Sequence, residues 1–187
     1  MRIWKVSTGS VIKTFESHED IRSVTFSLDG EMVISGSYDR TIRIWDVQTG
    51  CLRHILRGHT DAINCVAFLG NAQIASCGWH KTIRVWDADT GDSHHVLEPD
   101  MGPIHALLSL ANGKKLAICA ARGVQIWHSN HAELLETLVQ YTEGIYASSV
   151  ATSSIGQHLV AGFRDGAVWI WDLKTGMLQQ TLQTVPL

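Results

Sequence analysis

Thr41-Ile42-Arg43-Ile44-Trp45-Asp46 recurs almost unchanged as Thr82-Ile83-Arg84-Val85-Trp86-Asp87. In both copies residues that favour extended backbone occupy alternate positions, the pattern of a half-buried strand. Ala167-Val168-Trp169-Ile170-Trp171-Asp172 is a third version. The tryptophans set the period. Trp4, Trp45, Trp86 and Trp127 stand 41 residues apart, and Trp171 follows after 44. A period near 40 is the signature of a repeat architecture, in which stacked units bury a shared core and display a surface.

The repeat extends beyond tryptophan. Asp46, Asp87 and Asp172 follow it, with Lys5 and His128 in the other two copies. Thr8-Gly9, Thr49-Gly50, Thr90-Gly91 and Thr175-Gly176 stand four residues downstream, and the Trp127 copy lacks the pair. His18 and His59 lie 27 residues before Trp45 and Trp86, the second in Gly58-His59. On these residues the chain resembles the WD40 repeat family, whose units form the blades of β-propellers. The resemblance covers essentially all 187 residues as one repeat region, 1–187. It is sharpest in the units ending at Trp45 and Trp86 and weakest at Trp127.

Each unit holds four strand-like runs, in the clearest copy Ile21–Phe26, Met32–Ser37, Thr41–Asp46 and Cys51–Leu56. Asp29-Gly30 and Asn112-Gly113 supply the positive φ that tight connections need. The expected fold is all-β. It is an open or partial WD40-type propeller of four complete four-stranded blades preceded by a half blade, Arg2–Lys5 and Ser10–Phe15. The three extra residues of the last unit are expected within Ala151–Gln157. The expectation is a piece of a larger, seven-bladed ring, or else an open arc completed by a partner or a second copy.

The resemblance implies a hydrogen-bond network inside each blade, built from His, a hydroxyl, Asp and Trp. Carried over, the first full unit has His18, Ser37 (or Ser35), Asp39 and Trp45. The second has His59 and Trp86, with Gly78 at the hydroxyl place and His80 at the Asp place. The third has Asp100 at the His place. The fourth has Asp165 and Trp171, with Tyr141 for His and Phe163 for the hydroxyl. There Tyr141, Phe163 and Trp169 are expected to replace polarity by packing.

Composition narrows the function classes. Hydrophobic residues make up 45% and charged residues 18%, with net charge −3 and mean hydropathy +0.04. No concentrated basic face is present, so direct nucleic-acid binding is not expected. No apolar run approaches a membrane-spanning length, so no membrane contact is expected. Cys51, Cys65, Cys77 and Cys119 form no Cys-x-x-Cys pair and read as reduced thiols of a cytoplasmic or nuclear protein. Of ten histidines, His94-His95 is the tempting metal pair. Neighbouring strand residues point to opposite faces, however, so two ligands cannot readily converge. No metal, cofactor or catalytic residue is expected.

In the family, the loops carrying His and Asp lie on one face of the disc, where partners commonly bind. The matching positions are Tyr38, Asp39 and Arg40; Trp79, His80 and Lys81; Arg122; and Arg164 and Asp165. Aromatic and arginine side chains dominate interface energetics, and a basic ring suits an acidic or phosphorylated peptide. The expected function is a non-catalytic protein–protein interaction scaffold presenting loops to protein or peptide partners, with self-association through open blade edges a further expectation. The alternative is a propeller-borne enzyme or small-molecule sensor with a site in the central mouth, for which His59 and His80 are the only convergent polar candidates.

Overall fold

The computed structural model describes residues 1–16, 20–70, 72–79, 81–131, 133–140, 146–153 and 156–183. His18, His80 and Tyr141 therefore lie outside the described residues. A two-stranded sheet comes first, from β1 (Arg2–Lys5) and β2 (Ser10–Thr14). Four antiparallel sheets of four strands follow. Blade A holds β3 (Ile21–Phe26), β4 (Met32–Ser37), β5 (Ile42–Asp46) and β6 (Leu52–Leu56). Blade B holds β7 (Ile63–Leu69), β8 (Gln73–Gly78), β9 (Ile83–Asp87) and β10 (Ser93–Leu97). Blade C holds β11 (Ile104–Leu110), β12 (Lys115–Ala120), β13 (Gly123–His128) and β14 (Leu134–Gln140). Blade D holds β15 (Ala147–Thr152), β16 (His158–Phe163), β17 (Val168–Asp172) and β18 (Leu178–Leu182). Each blade pairs its strands in chain order. The expected four blades and half blade are all present.

The innermost strands pack serially, β3 on β7, β7 on β11 and β11 on β15. No comparable packing returns from β15 to β3 among the described residues, and the arc stays open. The second strands are the most buried. Met32–Ser37 is buried at every residue, and Ile74–Gly78 and Leu116–Ala120 likewise. Strands covered on both faces read as continuous apolar and small residues instead of an alternation.

The repeating tryptophans of blades A to D pack toward the preceding sheet. Trp45 meets Phe15 with ring centroids 5.6 Å apart. Trp86 joins the cluster of Ile34, Ile42 and Ile44 from blade A, and Trp171 joins Val124, Ile126 and Val139 from blade C. The Trp-Asp-x-x-Thr-Gly run forms the turn between the third and fourth strands. Asp46 Oδ1 accepts the Thr49 amide at 2.7 Å and the Thr49 hydroxyl at 2.9 Å, and Asp172 treats Thr175 the same way. The Thr49 amide, helped by Arg53, holds the Asp46 carboxyl well below its ordinary value. The glycine then takes positive φ, +79° at Gly50 and Gly91 and +69° at Gly176. It also sits against the previous sheet, where an added Cβ would meet Lys13, His54 or Glu136.

These contacts belong to a clamp with the same 41-residue spacing. Lys13 Nζ donates to the Gln48 carbonyl at 2.9 Å. His54 Nε2 donates to the Asp89 carbonyl and His95 Nε2 to the Ser129 carbonyl, both at 2.7 Å. His94 turns instead toward Asp87, 3.5 Å away. The His94-His95 pair thus diverges, as strand alternation requires.

The extra length of the last unit is not in Ala151–Gln157. β16 begins as far along the chain from the start of β15, His158 from Ala147, as β4 does from the start of β3, Met32 from Ile21. Two of the added residues precede β15, because Leu134 and Ala147 start their strands two positions further apart than Ser93 and Ile104 do. Such an addition lengthens an inter-blade link and leaves strand pairing intact, so the blade tolerates it.

Candidate functional site

Two sets of side chains sit close together in each blade, one buried and one exposed. The buried set starts with the indoles. Trp86 Nε1 donates to Ser76 Oγ at 2.8 Å, and His59 Nε2 lies 2.6 Å from the same oxygen. All three residues are buried. Trp45 Nε1 donates to Ser35 Oγ at 3.4 Å. The acceptor of the Trp45 indole is therefore Ser35, not Ser37. Ser37 Oγ accepts the Asp39 amide at 3.1 Å. In the second unit Ser76, not Gly78, occupies the hydroxyl place. The hydroxyl stands ten residues before tryptophan, and that position is Ala117 in blade C and Ala161 in blade D.

Blades C and D fill this space differently. Trp127 Nε1 turns to Gln125 Oε1 at 2.8 Å. Phe163 and Trp169 lie 5.0 Å apart and Trp169 and Trp171 lie 6.0 Å apart, a tilted aromatic cluster. Asp100 takes no place in such a network; it is exposed and pairs with Arg122 at 2.7 Å.

The exposed set comes from the turn between the second and third strands. Asp39 Oδ1 accepts the Thr41 amide at 2.8 Å and the Thr41 hydroxyl at 2.7 Å, and Asp165 accepts the Ala167 amide at 2.9 Å. Between them the chain must turn with positive φ. Arg40 has φ +69° and Lys81 has φ +63°, whereas blade D uses Gly166 at +85°. Left-handed backbone strains a side-chain-bearing residue and suits glycine. Blades A and B thus keep a cation where the backbone favours glycine. Tyr38 is 54% and Trp79 52% exposed, at equivalent positions seven residues before tryptophan. Arg22 stacks over the Tyr38 ring at 5.6 Å. Arg164 occupies the same turn position in blade D.

Trp79 and Arg164 line a shallow mouth of about 350 Å³ with Arg22, Asn64, His105, Ala147 and Ser148. Arg22, Asn64, His105 and Ser148 were not singled out in the sequence. Each is the second residue of an innermost strand, and the four share no chemistry for a repeat to reveal. Tyr38, Arg40, Lys81 and Arg122 are exposed but are not among the mouth's lining residues. Partial burial of its ring and the charge of Arg164 lower the His105 pKa below 6.5.

Cys51, Cys65, Cys77 and Cys119 are all free thiols, with Cys65 and Cys77 opposite each other across β7 and β8. Among the described residues, no helix is long and apolar enough to cross a membrane.

No curated protein matches the chain. The family model for the WD domain, G-beta repeat, matches residues 9–46, 50–87 and 132–172. It passes over the Trp127 unit, which nonetheless folds as blade C. With well over half of its residues inside those matches and its blades built on the repeating tryptophan, the chain belongs to the WD40 repeat family.

Proposed function

We propose that this chain is a non-catalytic interaction scaffold that captures a protein or peptide partner on the face carrying the Tyr38–Arg40, Trp79–Lys81 and Arg164–Asp165 turns. WD40 repeats are generally protein-interaction scaffolds and typically non-enzymatic. One observation carries the assignment to this face: two large aromatic side chains, Tyr38 and Trp79, stand half exposed at equivalent turn positions. Each is followed two residues later by a cation held in left-handed backbone. Exposed aromatics and cations held in left-handed backbone are the residue types that anchor interfaces. The enzyme or sensor alternative drew on His59 and His80. His59 is buried and bonded to Ser76 inside blade B, which commits it to holding the blade. Four free thiols fit a reducing compartment, and cytoplasmic or nuclear residence is part of this reading.

The test is capture of lysate proteins by the immobilised chain and by Tyr38→Ala/Trp79→Ala, beside the melting midpoint of each. Loss of specific captured species with unchanged melting supports the reading. Unchanged capture overturns it.

A further inference from the structure

The seam between blades B and C holds a pair of thiols that the scaffold reading does not use. Cys65 on β7 and Cys77 on β8 stand directly opposite each other, and both pack into the core cluster that joins the two blades. Residues opposite each other in an antiparallel pair have Cα atoms about 4.5–5.5 Å apart, inside the range a disulfide spans. The pairing also has room to adjust. Each innermost strand carries one register break, and the breaks skip Arg22, Asn64, His105 and Ser148 in turn. On β7 the break falls between Ile63 and Cys65. A bulge disrupts the ladder locally, so β7 can shift where Cys65 approaches Cys77.

The two thiols differ in their surroundings. Cys65 is partly exposed, and its chain neighbours line two cavities, Asn64 the mouth and Val66 a second one of about 780 Å³. Cys77 is fully buried. The Leu107 amide, on the edge strand β11 of the next blade, donates to Cys65 Sγ at 3.4 Å. Donors of this kind favour a thiolate. Hydrogen bonds from the Cys77 thiol, and then from the Leu107 amide and the Ser23 hydroxyl, outweigh burial and bring the Cys65 thiol down from 9.0 to about 7. Burial pushes the Cys77 thiol well above its ordinary value, so it keeps its proton. Cys119 in blade C has Ala106 opposite it instead of a thiol, and burial pushes it up to about 12.

We propose that Cys65 and Cys77 form a dithiol site oxidised by hydroperoxides, with Cys65 as the attacking thiolate and Cys77 as the thiol that closes the disulfide. The Cys65 sulfur attacks one oxygen of hydrogen peroxide. An S–O bond forms, the O–O bond breaks, and the departing hydroxide takes up a proton as water. Cys65 is now a sulfenic acid, and the peroxide is reduced. The Cys77 sulfur then attacks the Cys65 sulfur. The S–S bond forms, the S–O bond breaks, and the Cys77 proton leaves with the hydroxyl group as a second water. In sum, two thiols and one peroxide become one disulfide and two waters. The bond ties β7 to β8 one residue from Asn64, at the lip of the mouth. A dithiol reductant reverses it by exchange, which makes it a transient bond in a reducing compartment.

The test uses the reduced 187-residue chain, hydrogen peroxide as the oxidant and mass spectrometry of the digested protein. Equimolar peroxide is expected to join Cys65 to Cys77 while Cys51, the exposed thiol, and Cys119 stay reduced. Dithiothreitol is expected to restore both thiols. In Cys77→Ala the sulfenic acid accumulates on Cys65, where dimedone traps it. In Cys65→Ala no disulfide forms and no sulfenic acid is trapped on Cys77. Thermal melts check that each variant is folded, and the unmodified chain gives its own answer where a variant is not.

Oxidation of Cys51 ahead of Cys65 would make exposure the deciding factor and overturn the proposal. A Cys65–Cys77 bond that forms only in denaturant would overturn it too, because the cross-strand placement would then have no part in it. Sulfenic acid trapped on Cys77 in Cys65→Ala would remove the assigned roles. None of these outcomes depends on partner capture, so the site and the scaffold fail separately.

Discussion

Blades A and B hold their tryptophans with a serine hydroxyl; blades C and D have alanine at that place and form the same four-stranded sheets. Ser35 and Ser76 accept the indoles of Trp45 and Trp86, while the blades with Ala117 and Ala161 turn the indole to Gln125 or pack it in an aromatic cluster. The polar network is therefore one of two ways to fill the same space. A network is costly to break at one member and nearly neutral to replace as a whole. Blade D has alanine at the hydroxyl place and an aromatic cluster of Phe163, Trp169 and Trp171. The exposed turns divide the blades along the same line: A and B carry an exposed aromatic and a left-handed cation, and D carries Arg164 and Gly166.

The comparison breaks most visibly at Ser76. Ser76→Ala removes a partner from two buried polar groups, the Trp86 indole and the His59 imidazole. At roughly 1–3 kcal/mol per stranded group, the expected loss is about 3 kcal/mol by denaturant unfolding. The reverse change, Ala161→Ser in blade D, is expected to stay within about 1 kcal/mol of zero, because the hydroxyl arrives beside an indole able to donate. Equal losses in the two would end the distinction between the cores.

A smaller effect tests the apolar solution. Phe163→Leu removes the ring that lies 5.0 Å from Trp169 and is expected to lower stability by about 1.5 kcal/mol. No change would mean that the aromatic cluster is incidental. Smaller again, Lys81→Gly relieves a left-handed lysine and raises stability by about 0.5–1 kcal/mol, while Gly166→Lys lowers it by about 1 kcal/mol. Thermal melts of the pair would show opposite signs; the same sign in both would remove the argument that blades A and B keep strained cations for contact.

The smallest effect is pH-dependent. The Asp46 carboxyl is held below its ordinary 3.8 by the Thr49 amide and Arg53. A depressed carboxylate stabilises the fold above its unfolded value, and that contribution is lost as pH falls through the folded value. Asp46→Asn should therefore be less stable than wild type at pH 7, and the gap should close in acid below pH 3.8. A gap that stays constant with pH would assign the loss to something other than charge.

Much of the fold was legible in the sequence because one bulky residue returns every 41 positions and its turn carries a chemical signature. The Asp of Trp-Asp caps, the Thr hydroxyl reinforces, and the Gly supplies the φ, so spacing alone locates the third strand of every blade. The hydroxyl was not legible with equal force. Ser35-Gly36-Ser37 places two serines on one short, fully buried strand, and only the structure shows which of them the indole meets. The mouth was the least legible. Tyr38, Trp79 and Arg164 lie beside a recognisable turn, but Arg22, Asn64, His105 and Ser148 differ in chemistry and owe their shared position to a bulge. A bulge breaks the two-residue alternation on which strand reading depends.

The most direct measurement places the two sets of residues side by side within blade B. Ser76→Ala and Trp79→Ala would each be followed by melting and by partner capture per folded molecule. Holding and contacting are separate if Ser76→Ala lowers the melting midpoint and leaves capture intact, while Trp79→Ala abolishes capture and leaves melting intact. If Trp79→Ala instead lowers melting as much as Ser76→Ala does, with capture retained by the folded fraction, the exposed tryptophan is part of the blade's core and the account is contradicted.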